Sequence, residues 1–388
     1  MISRSVLTLL MLLSMLSTGC AGPVDLLASR LAVSAPPEEY SQPADGFRYV
    51  RGTLSDQERY VYDQLAAGLG DQAELIDDLY PDADIIQKAV QAIVQDYPEY
   101  FWFTGKGRIE TSYMSGNPVK STYYPAYAVT REEVSRLQAR INAWETTCLY
   151  GLPQDGGDYE KALYIYRYII DHADYQAVDY NSIDHIMVDG KGLCGCYAKT
   201  AQYLLNRLGI DCAYISGRTG EDGEPHAWNL IWLDGVPCWM DVTWGDPVFD
   251  GGDPNDGPAY EYFGITTADL LRNHTIDPAV PVPECVTEEY NYFRRSGLFF
   301  DSYDPAAIRA AMVQALTQGS GRLCMRFADE AYPQAIASLF EVGEVHPLLS
   351  DAAREAGAPQ PGNSLWYSKN DTFSTVSIRL TDMTGVQP

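Results

Sequence analysis

Between residues 51 and 150 the apolar positions fall mostly at helical spacing. Ser55 with Glu58 three residues on forms a capping box, in which two side chains answer orphan donors at a helix start; Tyr62, Leu65, Ala66 and Leu69 follow on one face. A second helix is predicted over about Ala83 to Gln95, from Ile85, Ile86, Ala89, Val90, Ile93 and Val94, and it stops before Pro98. Tyr100 to Phe103 reads as a short buried strand, and alternation from Tyr123 to Val129 as another. Thr130 and Glu133 then open a third capped helix reaching about Trp144. An α-rich module over 51–150, preceded by a Pro-containing tether over 20–50, is the expectation.

After the glycine-rich linker Gly151–Gly157, a helix is predicted over Tyr159–Asp171, and a Gly190/Gly192 turn leads into another that begins at Cys194. Its buried stripe is Cys194, Tyr197, Ala198, Ala201, Leu205 and Leu208, with Gly209 as C-cap. Cys196 is turned about 200° from Cys194, at ~100° per residue, and should point elsewhere. Asp234-Gly235 is a type I′ hairpin signal that pairs Leu233 with Val236. Extending that register sets His226 opposite Thr243 and Trp228 opposite Asp241, which makes His226 and Asp241 diagonal neighbours on one face. Trp228, Leu230, Trp232 and Trp239 share that face, expected to pack on the Cys194 helix, whereas Asn229 lies on the other. An acidic loop follows Pro247, order resumes at Tyr262–Ile265, and Thr267 can cap a short helix to Asn273. Past the connector Pro278–Pro283, helices over Pro305–Gln318 and Tyr332–Phe340 alternate with strands over Arg322–Ala328 and Thr372–Thr381. The fold class is α+β: a signal segment at 1–19, the tether and the N-terminal module, a core domain at 155–277, and a small α/β module at 284–388.

Composition adds an address and removes some partners. Arg4, the apolar run Val6–Leu16 and the small residues Ser17-Thr18-Gly19 form an export signal, too short for a spanning helix of ~20 residues. Ending at Cys20, the signal resembles that of a bacterial lipoprotein, with lipid on the Cys20 thiol as a membrane anchor; ordinary signal cleavage and secretion is the rival. A formal charge of −26 argues against nucleic acid as a partner. Seven cysteines besides Cys20 are too few in 388 residues for a dense disulfide framework, and spacing leaves their pairing open.

Three side chains carry the chemistry. Cys194 opens its helix, where unsatisfied amides and the helix dipole favour thiolate; His226 and Asp241 supply an imidazole and the carboxylate that orients it. The pattern is that of a nucleophilic triad, with the Cys194 amide as one oxyanion donor and no second donor evident. Cys-x-Cys is not a common structural zinc spacing, and the Asp250–Gly257 loop lacks the EF-hand register. No metal or cofactor is called for.

At these residues the chain resembles the transglutaminase-like superfamily, whose core is papain-like. Gly192-Leu193-Cys194-Gly195-Cys196-Tyr197-Ala198 is similar to the family's Gly-x-Cys-x-Gly-Tyr-Ala, His226–Asn229 to His-Ala-Trp-Asn, and Asp241–Trp244 to Asp-x-Thr-Trp, in the family's order. Cys196 stands where the family usually has Gly. The resemblance implies Cys194, His226 and Asp241 as the catalytic residues, and thiol-dependent acyl transfer at an amide of a protein or cell-wall peptide. Water as acceptor gives a peptidase or amidase, and a lysine amine gives a cross-linker. A non-catalytic cell-surface binding or structural module that keeps the fold is the alternative.

Overall fold

The computed structural model describes residues 32–42, 44–220, 222–247, 257–362 and 364–380. The signal segment, Cys20 and most of the acidic loop lie outside the described residues. The chain divides into two compact units, Met1–Ala139 and Arg140–Pro388.

In the first unit the capping box forms as its spacing predicts. The Ser55 N–H donates to Glu58 Oε2 at 2.8 Å, and the Glu58 N–H to Ser55 Oγ at 3.3 Å. The helix Asp56–Gly70 packs on the helix Ala83–Asp96 through buried Val61, Leu65, Leu69, Ile86, Ala89 and Ile93. Helices predominate in 51–150, and the β structure expected there is a three-stranded antiparallel sheet, in the order Ile76–Leu79, Asn117–Tyr127, Phe103–Met114; the expected strand Tyr100–Phe103 is mostly a turn that leads into it. Its long hairpin turns at Ser115-Gly116, both left-handed at φ 53° and 82°, with Met114 paired to Asn117. The first strand is mostly exposed and carries Lys106, Arg108, Glu110 and Ser112, so it lacks the apolar alternation that marks a half-buried strand.

The second unit is built on a five-stranded antiparallel sheet. Its order is His274–Ile276, Cys212–Thr219, Glu224–Leu233, Val236–Met240, Phe263–Ile265. Asp234 and Gly235 take φ 50° and 79°, and Leu233 pairs with Val236, as the type I′ signal requires. The helices Asp158–Asp171 and Cys194–Arg207 pack together, and the second lies against the sheet. Asn229 donates from Nδ2 to the Ala198 carbonyl at 2.9 Å, so the helix meets the Asn229 face rather than the expected Trp228 face. Both faces are apolar, and alternation cannot choose between them; a buried carboxamide matched to a helix carbonyl does.

A second, four-stranded sheet (Phe299–Phe300, Arg322–Phe327, Thr375–Arg379, Tyr367–Asn370) has its own core around Ile308, Met312, Met325, Phe327, Leu349 and Ile378. Buried Arg326 grips Asp269 with two hydrogen bonds, at 3.0 and 2.5 Å. The seven described cysteines are all free thiols.

Candidate active site

Cys194 is the first residue of its helix. The Leu193 carbonyl already accepts from the Cys196 and Tyr197 amides at 2.8 and 3.2 Å. Cys194 is half-buried, whereas Cys196 is fully buried and turns its thiol toward the Tyr180 carbonyl and the Asn181 side chain. Helical phase therefore separates the two thiols as expected.

His226 lies in the strand Glu224–Leu233, opposite Gly217. The pairing to Thr243 does not form. The hairpin register ends at Asn229–Met240, and Asp241 leaves the sheet to N-cap the turn Val242–Gly245, accepting the Trp244 N–H on Oδ1 at 3.1 Å. An aspartate followed by a short helical turn gains more from capping than from continued pairing. Its second oxygen, Oδ2, still meets His226 Nε2 at 2.6 Å. An ionised carboxylate only accepts, so Nε2 donates to Asp241, and Cys194 lines the cleft onto which the His226 ring opens.

The pair is almost dry, with side chains 3% and 1% exposed. Burial alone would push the imidazole down, but the charge of Asp241 and its hydrogen bond outweigh that and hold His226 well above the ordinary range. Burial would likewise raise Asp241; the two imidazoles facing it hold it well below the usual carboxylate range instead.

The second imidazole belongs to His274, which pattern reading does not single out. Its Nε2 lies 3.1 Å from Asp241 Oδ2, its Nδ1 lies 2.7 Å from Asn273 Oδ1, and Asn273 donates onward to the Tyr262 hydroxyl at 2.7 Å. Rarity was the available signal, since the chain has five histidines and this one begins a short strand. The donor atoms of His226, Asp241 and His274 all lie within 4.8 Å of one another, close enough to hold a metal ion. In this geometry they are spent on each other, and an ion would have to replace both His–Asp bonds.

A cleft of about 580 Å³ opens on this group, lined by Asn181, Cys194, Tyr214, Arg218, His226 and Ile276 among others. Residues 152–244 match the family model described as the transglutaminase-like superfamily. This segment is a transglutaminase-like domain. It contains Cys194, His226 and Asp241, and His274 lies beyond it. Similar solved structures include a candidate cysteine protease from Cytophaga hutchinsonii, at 18% identity and TM-score 0.25, covering 37% of this chain and 64% of that one. A structure named a TGase has 16% identity and TM-score 0.25, covering 36% and 44%. A candidate protease from Parabacteroides distasonis has 13% identity and TM-score 0.23, covering 36% and 37%. The chain spans less than two thirds of the length of each. No curated protein matches it.

Proposed function

We propose that the transglutaminase-like domain carries out thiol-dependent acyl transfer at an amide bond, with Cys194 as nucleophile, His226 as general base and acid, and Asp241 orienting and charging the imidazole. The reading is carried by the buried His226 Nε2–Asp241 Oδ2 bond, 2.6 Å long, at the mouth of a cleft that Cys194 also lines. The thiol proton already rests on His226, where Asp241 stabilises the imidazolium, and the Cys194 thiolate forms a C–S bond to the substrate carbonyl. The resulting tetrahedral oxyanion collapses, the C–N bond breaks, and His226 returns its proton to the departing amine. Water or a second amine then attacks the thioester, the C–S bond breaks, and the Cys194 thiol is restored. Hydrolysis of a protein or cell-wall peptide is the preferred outcome for an exported chain, and cross-linking to a lysine amine is its rival.

The test is alkylation of Cys194 by iodoacetamide across pH. Fast alkylation that His226→Ala abolishes supports the triad. Alkylation at the rate of a model thiol, unchanged in that variant, sinks it in favour of a non-catalytic binding module. A glutamine peptide offered with and without a labelled amine separates hydrolysis from cross-linking. We further propose that Cys20 carries a lipid anchor on the outer face of the cytoplasmic membrane; Cys20→Ala should move the protein from membrane to medium, and an unmoved protein refutes the anchor.

A further inference from the structure

We infer that Asn181 is the side-chain donor that receives the oxyanion when Cys194 attacks a carbonyl, and that Cys196 and Lys199 hold its carboxamide ready. The inference rests on the nucleophile reading above. Asn181 is exposed and lines the same cleft as Cys194 and His226. Gly195, the residue after the nucleophile, shows how near it comes. A Cβ at that position would stand 2.5 Å from Asn181 Cγ and 2.6 Å from Nδ2. The carboxamide therefore lies in the space a side chain at 195 would fill, against the first turn of the Cys194 helix. That turn presents main-chain N–H groups with no intrahelical acceptor.

The carboxamide is also oriented. Its Oδ1 accepts from the Cys196 thiol at 3.7 Å. Burial pushes that thiol up to about 11, so it keeps its proton and stays a donor at neutral pH. With the oxygen engaged on the buried side, Nδ2 is the end left for the cleft, and no hydrogen-bond acceptor holds it among the described residues. The backbone is fixed from below: buried Lys199 donates from Nζ to the Asn181 carbonyl at 3.2 Å. Three features unused by the triad thus converge on one group: a glycine after the nucleophile, a buried cysteine thiol and a buried lysine. As the C–S bond forms, the carbonyl π pair moves onto oxygen. Asn181 Nδ2–H and the Cys194 N–H then donate to that charge until the π bond re-forms and the amine leaves.

Two reactions of the full chain separate this role from general damage to the site. Acylation by p-nitrophenyl acetate passes through an oxyanion, whereas alkylation by iodoacetamide displaces iodide at a saturated carbon and does not. Asn181→Ala should lower the p-nitrophenolate burst rate by about 10²–10³-fold, the usual loss for one oxyanion donor, and leave alkylation within about twofold. Gly195→Ala should reproduce that selective loss by displacing the carboxamide. Cys196→Ala should give a smaller selective loss, which Cys196→Ser, keeping a donor, restores. An unchanged burst rate in Asn181→Ala, or equal loss of both reactions, overturns the assignment. A wild-type chain alkylated no faster than a model thiol instead removes the nucleophile reading, a failure visible without any Asn181 variant.

Discussion

Asp96 in the first unit and Asp241 in the second are buried to the same degree, 0% and 1% exposed, yet their carboxylates shift in opposite directions. Asp96 accepts from the Val50 and Arg51 amides at 2.9 and 2.7 Å and from the Tyr62 hydroxyl at 3.0 Å, all neutral donors. The nearby Arg48 guanidinium donates to the Asp96 main-chain carbonyl and pairs with the Asp45 and Glu99 carboxylates instead. Burial dominates there and pushes Asp96 up to about 6. Asp241 has one neutral donor, the Trp244 amide, and two imidazoles that can carry charge. Its partners win over burial. Two equally dry carboxylates thus serve as a tie for a helix start in one unit and as a store of negative charge in the other, and the kind of donor decides which.

The sharpest break of this comparison is to remove only the charge. Asp241→Asn should slow acylation of Cys194 by p-nitrophenyl acetate about 10³–10⁴-fold, as expected when a triad aspartate loses its charge but keeps its shape. The stability effect has a pH signature. A depressed Asp241 contributes stability that is lost as pH falls below the ordinary carboxylate value, ~3.9, and a raised His226 contributes stability that is full below ~6.5. The His226 contribution is lost as pH climbs through about 10. The gap in unfolding free energy between wild type and Asp241→Asn should therefore be widest near pH 5–6 (about 3 kcal/mol or more) and close toward pH 10, measured by urea unfolding. A gap that does not vary with pH breaks the charge argument.

Asp96→Asn supplies the contrast. An amide cannot accept on both ends, so one of the Val50 and Arg51 amides loses its partner, at a cost of about 1–3 kcal/mol. The sign is opposite to that of Asp241: a raised carboxyl contributes stability at acid pH that is lost as pH rises through about 6. The gap should narrow from pH 4 to pH 7 in thermal melts, with Cys194 alkylation unchanged. A gap that widens instead would mean that a charged partner of Asp96 outweighs its burial.

How far each site could be read in advance follows the same division. Cys194, His226 and Asp241 stand in one 48-residue stretch with a glycine turn, a helix phase and a hairpin signal to place them. The helix start and the I′ turn are local devices, and they form as predicted. The pairing past Met240 fails because capping by Asp241 competes with the ladder, a choice that alternation does not register. His274 is remote in sequence and reaches Asp241 only because its strand pairs with Cys212–Thr219 at the sheet edge. Asp96 is less legible still. It reads as the last residue of a helix, and only the fold of 49–53 over it turns it into an acceptor. In the hairpin 103–127 only the second strand, from Tyr123 on, carried the alternation that announces a strand; the exposed first strand did not.

His274 tests whether charge or hydrogen bonding makes Asp241 differ from Asp96. His274→Gln keeps a donor within reach of Oδ2 but carries no charge, and so moves Asp241 toward the neutral surroundings of Asp96. Asp241 stays ionised at pH 6 either way, but losing a like charge beside His226 favours its imidazolium, so alkylation of Cys194 at pH 6 should rise by up to about tenfold, the equivalent of one pKa unit or ~1.4 kcal/mol, with little change in melting temperature. An unaltered alkylation rate would assign His274 a packing role alone.

The smallest effect sits at the other end of the comparison. Tyr62, which donates to Asp96, rides on the helix that the Ser55–Glu58 box opens. Ser55→Ala removes the acceptor for the Glu58 amide and should cost about 1 kcal/mol, read as a small drop in melting temperature. Because the loss falls on the helix that carries Tyr62, it should be largest where Asp96 contributes most, at pH 4, and smaller at pH 7. Iodoacetamide should still alkylate Cys194 at the wild-type rate. If that rate falls with the cap, the two carboxylates are not independent, and the contrast between a tie and a charge store has to be redrawn as one coupled system.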